Sequence, residues 1–467
     1  MRAIETGHKA GRHWCAFLAI VAAVATLCPA GAAEQPAYAE PRDFCSAAVR
    51  GRVLHATPAS YRDLLVSLRP GDMLDLAPGH YDRLTLTNLR GAPGRCIIIA
   101  GPKRGRRTII DGSFGRNTVE IADSSYLAIH DLVIDSHGYL GADGIKAGQS
   151  AGEPTHHIVL EGNTILGAGA TQQTDGLSTK TPTWDWIIRG NTIIGAGTGI
   201  YLGNSDGSDP FIAGLIEGNL VIDPIGYAME IKFQISRPRS PGMPEGPQTT
   251  VIRNNVFIKN GRASPDGDRP NLLVGGFPDA GPGAQDLYQI YGNFLARNPR
   301  EALFQGSGRI SFHDNILVDG GAAAAVFRDH DLPLKLAHVY NNTVFTARLG
   351  IVFGSRARES EVVLGNLVFA ETPLLGAASP PESNILARPA TARRFVNAPS
   401  ARLGEMDFFP RGAAVRGRPL DLSPFAGELD FDRDFNGTSK GDRCFRGAYA
   451  GAGSNPGWRL AATLKGR

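Results

Sequence analysis

The 467-residue chain is poor in the features that mark several common protein classes. Cysteine occurs only 5 times, in no paired spacing that would make a zinc site. Formal charges nearly cancel, at +3, and no Lys/Arg run is long enough to argue for nucleic acid. No Ser/His/Asp order, phosphate loop or other metal-ligand motif stands out. Apart from Phe17 to Leu27 there is no long apolar run, and that one is too short to span a bilayer permanently. Helical periodicity is nearly absent: only Pro58 to Leu68 has it, with Tyr61, Leu64, Leu65 and Leu68 in step before the stop signal Arg69-Pro70-Gly71.

What is present is a repeat. Between about Ser125 and Phe369 the chain returns to one pattern: two apolar residues, any residue, a small or polar residue, then Asn. The instances end at Asn163, Asn191, Asn219, Asn255, Asn293, Asn315, Asn342 and Asn366, with spacings of 28, 28, 36, 38, 22, 27 and 24. Such a period, with variable insertions, signals stacked coils of strand and turn. Asn suits a corner because it tolerates left-handed backbone, and stacked Asn side chains can bond to one another. Gly 58 and Pro 31 fit a fold made of turns, while 42% hydrophobic content excludes a disordered chain.

The ends read differently from the middle. Arg2, Lys9, Arg12, the apolar run and the small residues at Ala30 to Ala33 make residues 1–33 a signal peptide, so a secreted or periplasmic protein is expected, with no membrane span in the mature chain. Cys45, Cys96 and Cys444 then remain, giving either one disulfide, with Cys45–Cys96 preferred, or three unpaired thiols. Residues 34–115 are assigned to an irregular N-terminal segment through residue 55, a capping helix and a first coil. Residues 116–375 form the solenoid, and 376–467 a C-terminal cap and tail packed along it.

A resemblance sharpens the fold. Arg69-Pro70-Gly71-Asp72, Leu76-Ala77-Pro78-Gly79-His80-Tyr81, Ile97-Ile98-Ile99-Ala100 and Ile109-Ile110-Asp111-Gly112 resemble the opening of right-handed parallel β-helix proteins. The group holding alginate lyases and chondroitinase B is the nearest in character. Asp434-Phe435-Asn436-Gly437 with Arg446-Gly447-Ala448-Tyr449 is similar to the closing motif of many such proteins. The resemblance implies an all-β right-handed parallel β-helix acting on an acidic polysaccharide, with calcium allowed in the groove.

A second strand class in each coil places candidate residues. Ile145/Ala147, Leu177/Thr179, Ile200/Leu202, Met229/Ile231, Leu272/Val274 and Leu303/Gln305 form an inward set. The outward set is Lys146/Gly148, Ser178/Lys180, Tyr201/Gly203, Glu230/Lys232, Leu273/Gly275 and Phe304/Gly306. Parallel strands stack about 4.8 Å apart, so Lys180 and Lys232 should stand about 10 Å apart over Gly203, beside Tyr201 and Glu230. β-Elimination of a uronate needs a cation at the carboxylate, a base and a proton donor. The reading therefore makes Lys180 or Lys232 the base, its pKa lowered by the neighbouring cation, and the other lysine the neutraliser. Tyr201 is the acid, and Glu230 positions Lys232 or hydrogen-bonds a sugar hydroxyl. Glu230-Ile231-Lys232 resembles the Glu and Lys of the lyase group, whereas its Arg has no counterpart on the next coil, leaving Arg237, Arg253 or Arg269 as loop substitutes.

Lys146, Arg237 and Arg328 are further substrate-binding candidates, and Asp206 and Asp209, in the loop Asn204 to Asp209, are candidate calcium ligands. The alternatives are a glycoside hydrolase using Glu230 with Asp206 or Asp175, and a saccharide-binding or cell-surface β-helix without catalysis. A monomer with a polysaccharide as its partner is expected.

Overall fold

The computed structural model describes residues 39–45, 51–148, 154–378 and 383–466, so the signal-peptide reading lies outside the described residues. Between Met73 and Leu375 the chain places strands in three parallel sheets on each turn, called A, B and C here in the order the chain visits them. Sheet A runs from Val53–Ala56 to Ser360–Leu364, sheet B from Gly79–Tyr81 to Ile385–Ala387, and sheet C from Leu84–Thr87 to Thr372–Leu375. Successive strands of each sheet are hydrogen-bonded neighbours, giving a right-handed parallel β-helix. Among the described residues no helix is long and apolar enough to cross a membrane.

The Asn repeat works in two parts. The residue before each Asn, such as Gly162, Gly190, Gly218, Asn254, Gly292, Asp314 or Asn341, takes the left-handed backbone of the corner. The Asn itself turns inward and joins a ladder. Asn163 donates its backbone and side-chain N–H groups to Oδ1 of Asn191, at 3.0 and 3.1 Å, and the same pair of bonds links Asn191 to Asn219 and Asn219 to Asn255. The ladder continues through Asn366 to Asn384, a rung beyond the repeat visible in sequence. Every Asn side chain also donates to a backbone carbonyl of the preceding coil.

The structure departs from the sequence reading at both ends. A sheet A strand, Val53–Ala56, already precedes the helix, inside the stretch read as irregular; its outer positions are exposed, so its alternation is weak. The capping helix spans only Tyr61–Leu65, burying Tyr61 and Leu65. Ile385–Ala387 extends sheet B past residue 375. Cys45 is disulfide-bonded to Cys96, and Cys444 is free.

The described residues before the first strand of the three sheets and after their last cover outer faces of the tube. Phe44 and Cys45 pack against Ile98, Ala128 and Val159 of sheet A, and Glu40 and Asp43 pair with Arg253 and Arg189. The C-terminal segment buries Phe408, Phe435 and Tyr449 against Val256, Phe294 and Ile316 on the outside of sheet B. It also sends Glu428 to Tyr340 and His338, and Lys440 to Asp314, on the sheet A side. Sheet C keeps a polar outer column, Glu120, Lys146, Ser178, Tyr201 and Glu230, and there the candidate residues gather.

Candidate active site

Strand pairing sets the sheet C columns. Lys146 aligns with Ser178, Ser178 with Tyr201, Tyr201 with Glu230, and Glu230 with Leu273. The neighbouring pairs Thr179–Leu202 and Leu202–Ile231 bring Lys180, Gly203 and Lys232 into register one residue further on. Gly203 has φ +84°, and a Cβ there would stand 3.3 Å from Cβ of Lys232, so the column needs a glycine. Two coils beyond Lys232 the expected register fails. Leu272 aligns with Phe304, so Phe304 points inward among Phe312 and Phe327, and Gln305 takes the outer column. Phe304 gains a fully apolar environment, which a one-residue shift decides.

Lys180, Tyr201, Glu230 and Lys232 line one cavity of about 270 Å³, together with Gln172, Gln173, Asp175, Tyr227 and Arg269. Each lysine is held by a buried carboxylate. Nζ of Lys180 lies 2.8 Å from Oδ2 of Asp175, and Nζ of Lys232 lies 2.6 Å from Oε1 of Glu230. Both ammonium groups also face the Tyr201 ring, at 4.6 and 5.2 Å from its centre. Asp175 is fixed from behind, its backbone N–H donating to Oδ1 of Asp143 at 2.9 Å.

Burial sets the protonation of these groups. Asp175 is pushed up to about 7 by loss of solvent, with Lys180 opposing and Asp143 adding to the rise. Glu230 is raised by burial against the opposing charge of Lys232. Tyr201 is raised by burial and by the charges of Glu230 and Asp175, so it stays a phenol. Burial pulls Lys180 down, but Asp175 outweighs it and the net shift is upward. That reverses the lowered lysine expected from two adjacent cations: the nearest charge to Lys180 is a carboxylate, not Lys232.

A second cavity of about 330 Å³ lies between the C-terminal segment and sheet A, but its buried Lys465 already donates to Asn254, Gly292 and Phe435.

No family model matches the sequence, and no curated protein matches it. Solved structures are similar in fold. An alginate lyase from Paenibacillus sp. str. FPU-7 is 16% identical, with 72% of this chain and 98% of that chain covered and a TM-score of 0.41. Pectate lyase Pel9A is 14% identical, with 89% and 97% covered and a TM-score of 0.36. The A-module of mannuronan C-5 epimerase AlgE4 from Azotobacter vinelandii is 14% identical, with 71% and 89% covered and a TM-score of 0.37.

The remaining candidates lie elsewhere. Lys146 pairs with Asp143 at 3.3 Å, two coils up the column from Tyr201. Arg237 is not available to a substrate: its side chain is 2% exposed, pairs with Asp286 and donates to the carbonyls of Pro244 and Gly246, stapling the insertion between Phe233 and Thr249. Arg253 pairs with Glu217 on sheet A. Arg328 is exposed three coils beyond Lys232, outside the cavity. The candidate calcium ligands Asp206 and Asp209 are engaged within their own loop, Asn204–Asp209. Oδ1 of Asp206 accepts from the N–H and hydroxyl of Ser208, and Oδ2 of Asp209 accepts from Asn204 at 3.0 Å. Among the described residues no three His, Cys, Asp or Glu side chains gather as a metal site.

Tyr227 and Gln172 were not singled out from the sequence. Tyr227 precedes its strand by two residues, where inside-outside alternation has not begun, and Gln172 sits in a turn.

Proposed function

We propose that the chain is a polysaccharide lyase that cleaves a uronate-containing polymer by β-elimination. The observation that carries this reading is Tyr201 set between two ammonium groups, each tied to a buried carboxylate, in one open cavity. Lys180, kept charged by Asp175, neutralises the substrate carboxylate and so acidifies the C5 proton. Lys232 passes its proton to Oε1 of Glu230 across their 2.6 Å contact. The resulting Lys232 amine removes the C5 proton. Tyr201 gives its proton to the leaving O4; the C4–O bond breaks and a C4–C5 double bond forms. The phenolate left behind lies beside two cations, which stabilise it.

The chain is proposed to act outside the cytoplasm, secreted or periplasmic, as a monomer. The basic and apolar N-terminal segment and the Cys45–Cys96 disulfide support the compartment.

Purified protein mixed with alginate, pectate and glycosaminoglycans should yield products that absorb in the near ultraviolet through the new double bond. Lys180→Ala, Lys232→Ala and Tyr201→Phe should each abolish that signal; undiminished absorbance in all three would sink the reading. Burial of both Asp175 and Glu230 in the cavity favours one rival, a hydrolase with two carboxylates. New reducing ends without absorbance would establish it instead.

A further inference from the structure

Resting on the lyase reading, we infer that Arg269 binds the carboxylate of the sugar next to the reacting one, so that the cavity selects polymers with acidic sugars in consecutive positions. The two lysines each form an ion pair with a buried carboxylate, whereas Arg269 forms none and reaches Glu230 only through space. Its guanidinium donates to the backbone carbonyls of Asp268 and Asp266, at 3.1 and 2.9 Å, and lies 5.7 Å from the centre of the Tyr227 ring. Its acceptors are neutral carbonyls, which leave part of its donor fork free for a directly bound anion. That fork matches a carboxylate in two-point geometry.

The loop that delivers Arg269 is built, not draped. It leaves sheet B after Val256–Ile258 and crosses back to a coil laid down about ninety residues earlier. There the Gln172 amide grips the tip from both sides: Nε2 donates to the Gly267 carbonyl at 2.9 Å, and Oε1 accepts from the Asp266 N–H at 3.0 Å. At the other end, the Arg269 carbonyl accepts from Lys259 at 3.0 Å and from Asn298 at 2.9 Å. Lys259 is 4% exposed, a costly placement for an ammonium group whose hydrogen bond in the structure goes to this one carbonyl.

The cavity therefore has two cationic stations, each on its own tyrosine: Lys180 and Lys232 on Tyr201, and Arg269 on Tyr227. One uronate brings one carboxylate. A second station is complete only when the adjoining sugar brings another, and a neutral neighbour would desolvate Arg269 without a partner.

The test compares two sets of oligosaccharides on the full chain: uronates in unbroken sequence, and uronates alternating with N-acetylhexosamine. The wild type should favour the unbroken series at least about tenfold in kcat/KM. Arg269→Gln should raise KM for that series about ten- to a hundredfold with kcat nearly unchanged, and should lower KM for the alternating series by relieving the unpaired charge. Arg269→Lys should recover part of the loss. Gln172→Ala should move KM in the same direction and add little on top of Arg269→Gln, marking it as a positioning residue. Equal effects on both series, or an unaltered preference in Arg269→Gln, would overturn the inference. If neither series yields absorbing products, the lyase reading falls, and retention in gels cast with each polymer decides. Selective loss of retention by Arg269→Gln on the unbroken polymer upholds the inference, and unchanged retention overturns it.

Discussion

Nζ of Lys232 stands 2.6 Å from Oε1 of Glu230, a side chain only 2% exposed. Glu230→Gln removes the charge but keeps the shape, leaving the ammonium without its counter-ion. Urea denaturation should show a loss of about 2 kcal/mol, below the range for a fully buried pair because Lys232 is still one-fifth exposed. Activity should fall by about 10²–10⁴, since the route for the Lys232 proton is gone. A variant as active as the wild type would separate Glu230 from the reaction.

Tyr201→Phe keeps the ring between the two lysines and deletes only the acid. Polymer binding, read by gel retention, should therefore stay within about twofold, while turnover drops by about 10²–10⁴. A parallel loss of binding would mean that the hydroxyl holds substrate and does not protonate it.

Asp175 makes stability depend on pH with a definite sign. Its folded value of about 7 is above its ordinary 3.8, so the folded state holds the extra proton. This contribution is complete below about pH 4 and is lost as the pH rises through about 7. Asp175→Asn removes the titration. The melting temperature of the wild type should therefore fall between pH 4 and 7 relative to that of the variant; a constant difference over that range would refute the assignment.

The Asn ladder should be costly to interrupt in its middle. Oδ1 of Asn255 accepts two bonds from Asn219, and its Nδ2 donates to Ile216 and Asn293. Asn255→Ala strands several buried groups at once and should destabilise by roughly 3 kcal/mol or more. Asn384 ends the ladder and is only partly buried, so Asn384→Ala should cost less than half as much. Equal unfolding midpoints for the two variants would count against the ladder as a source of stability.

The tube and its most polar face were legible because both follow from short-range rules. Ile200, Leu202, Met229 and Ile231 alternate with Tyr201, Gly203, Glu230 and Lys232, and alternation alone sends the second group outward. The rule failed where alternation is lost: Ala302, Leu303 and Phe304 are all fully buried, so nothing in that run marks which residue enters the tube. Arg269 could be named only as one of three loop arginines, because its destination depends on the path of a loop and a bond to Gln172. The same blindness made Arg237 look available, when a partner forty-nine positions away, Asp286, had claimed it.

The corner beside the Asn ladder has one further consequence. From His130 onward, two residues join each strand of sheet A to the next strand of sheet B, as at Gly162-Asn163 and Asn341-Asn342. A corner wired to its neighbours above and below has no room to grow. Insertions that lengthen a coil can therefore emerge at the edges of sheet C, the sheet that carries Tyr201. New substrate specificities can accumulate there by lengthening the loops around the cavity, while the shaft that carries them stays the same.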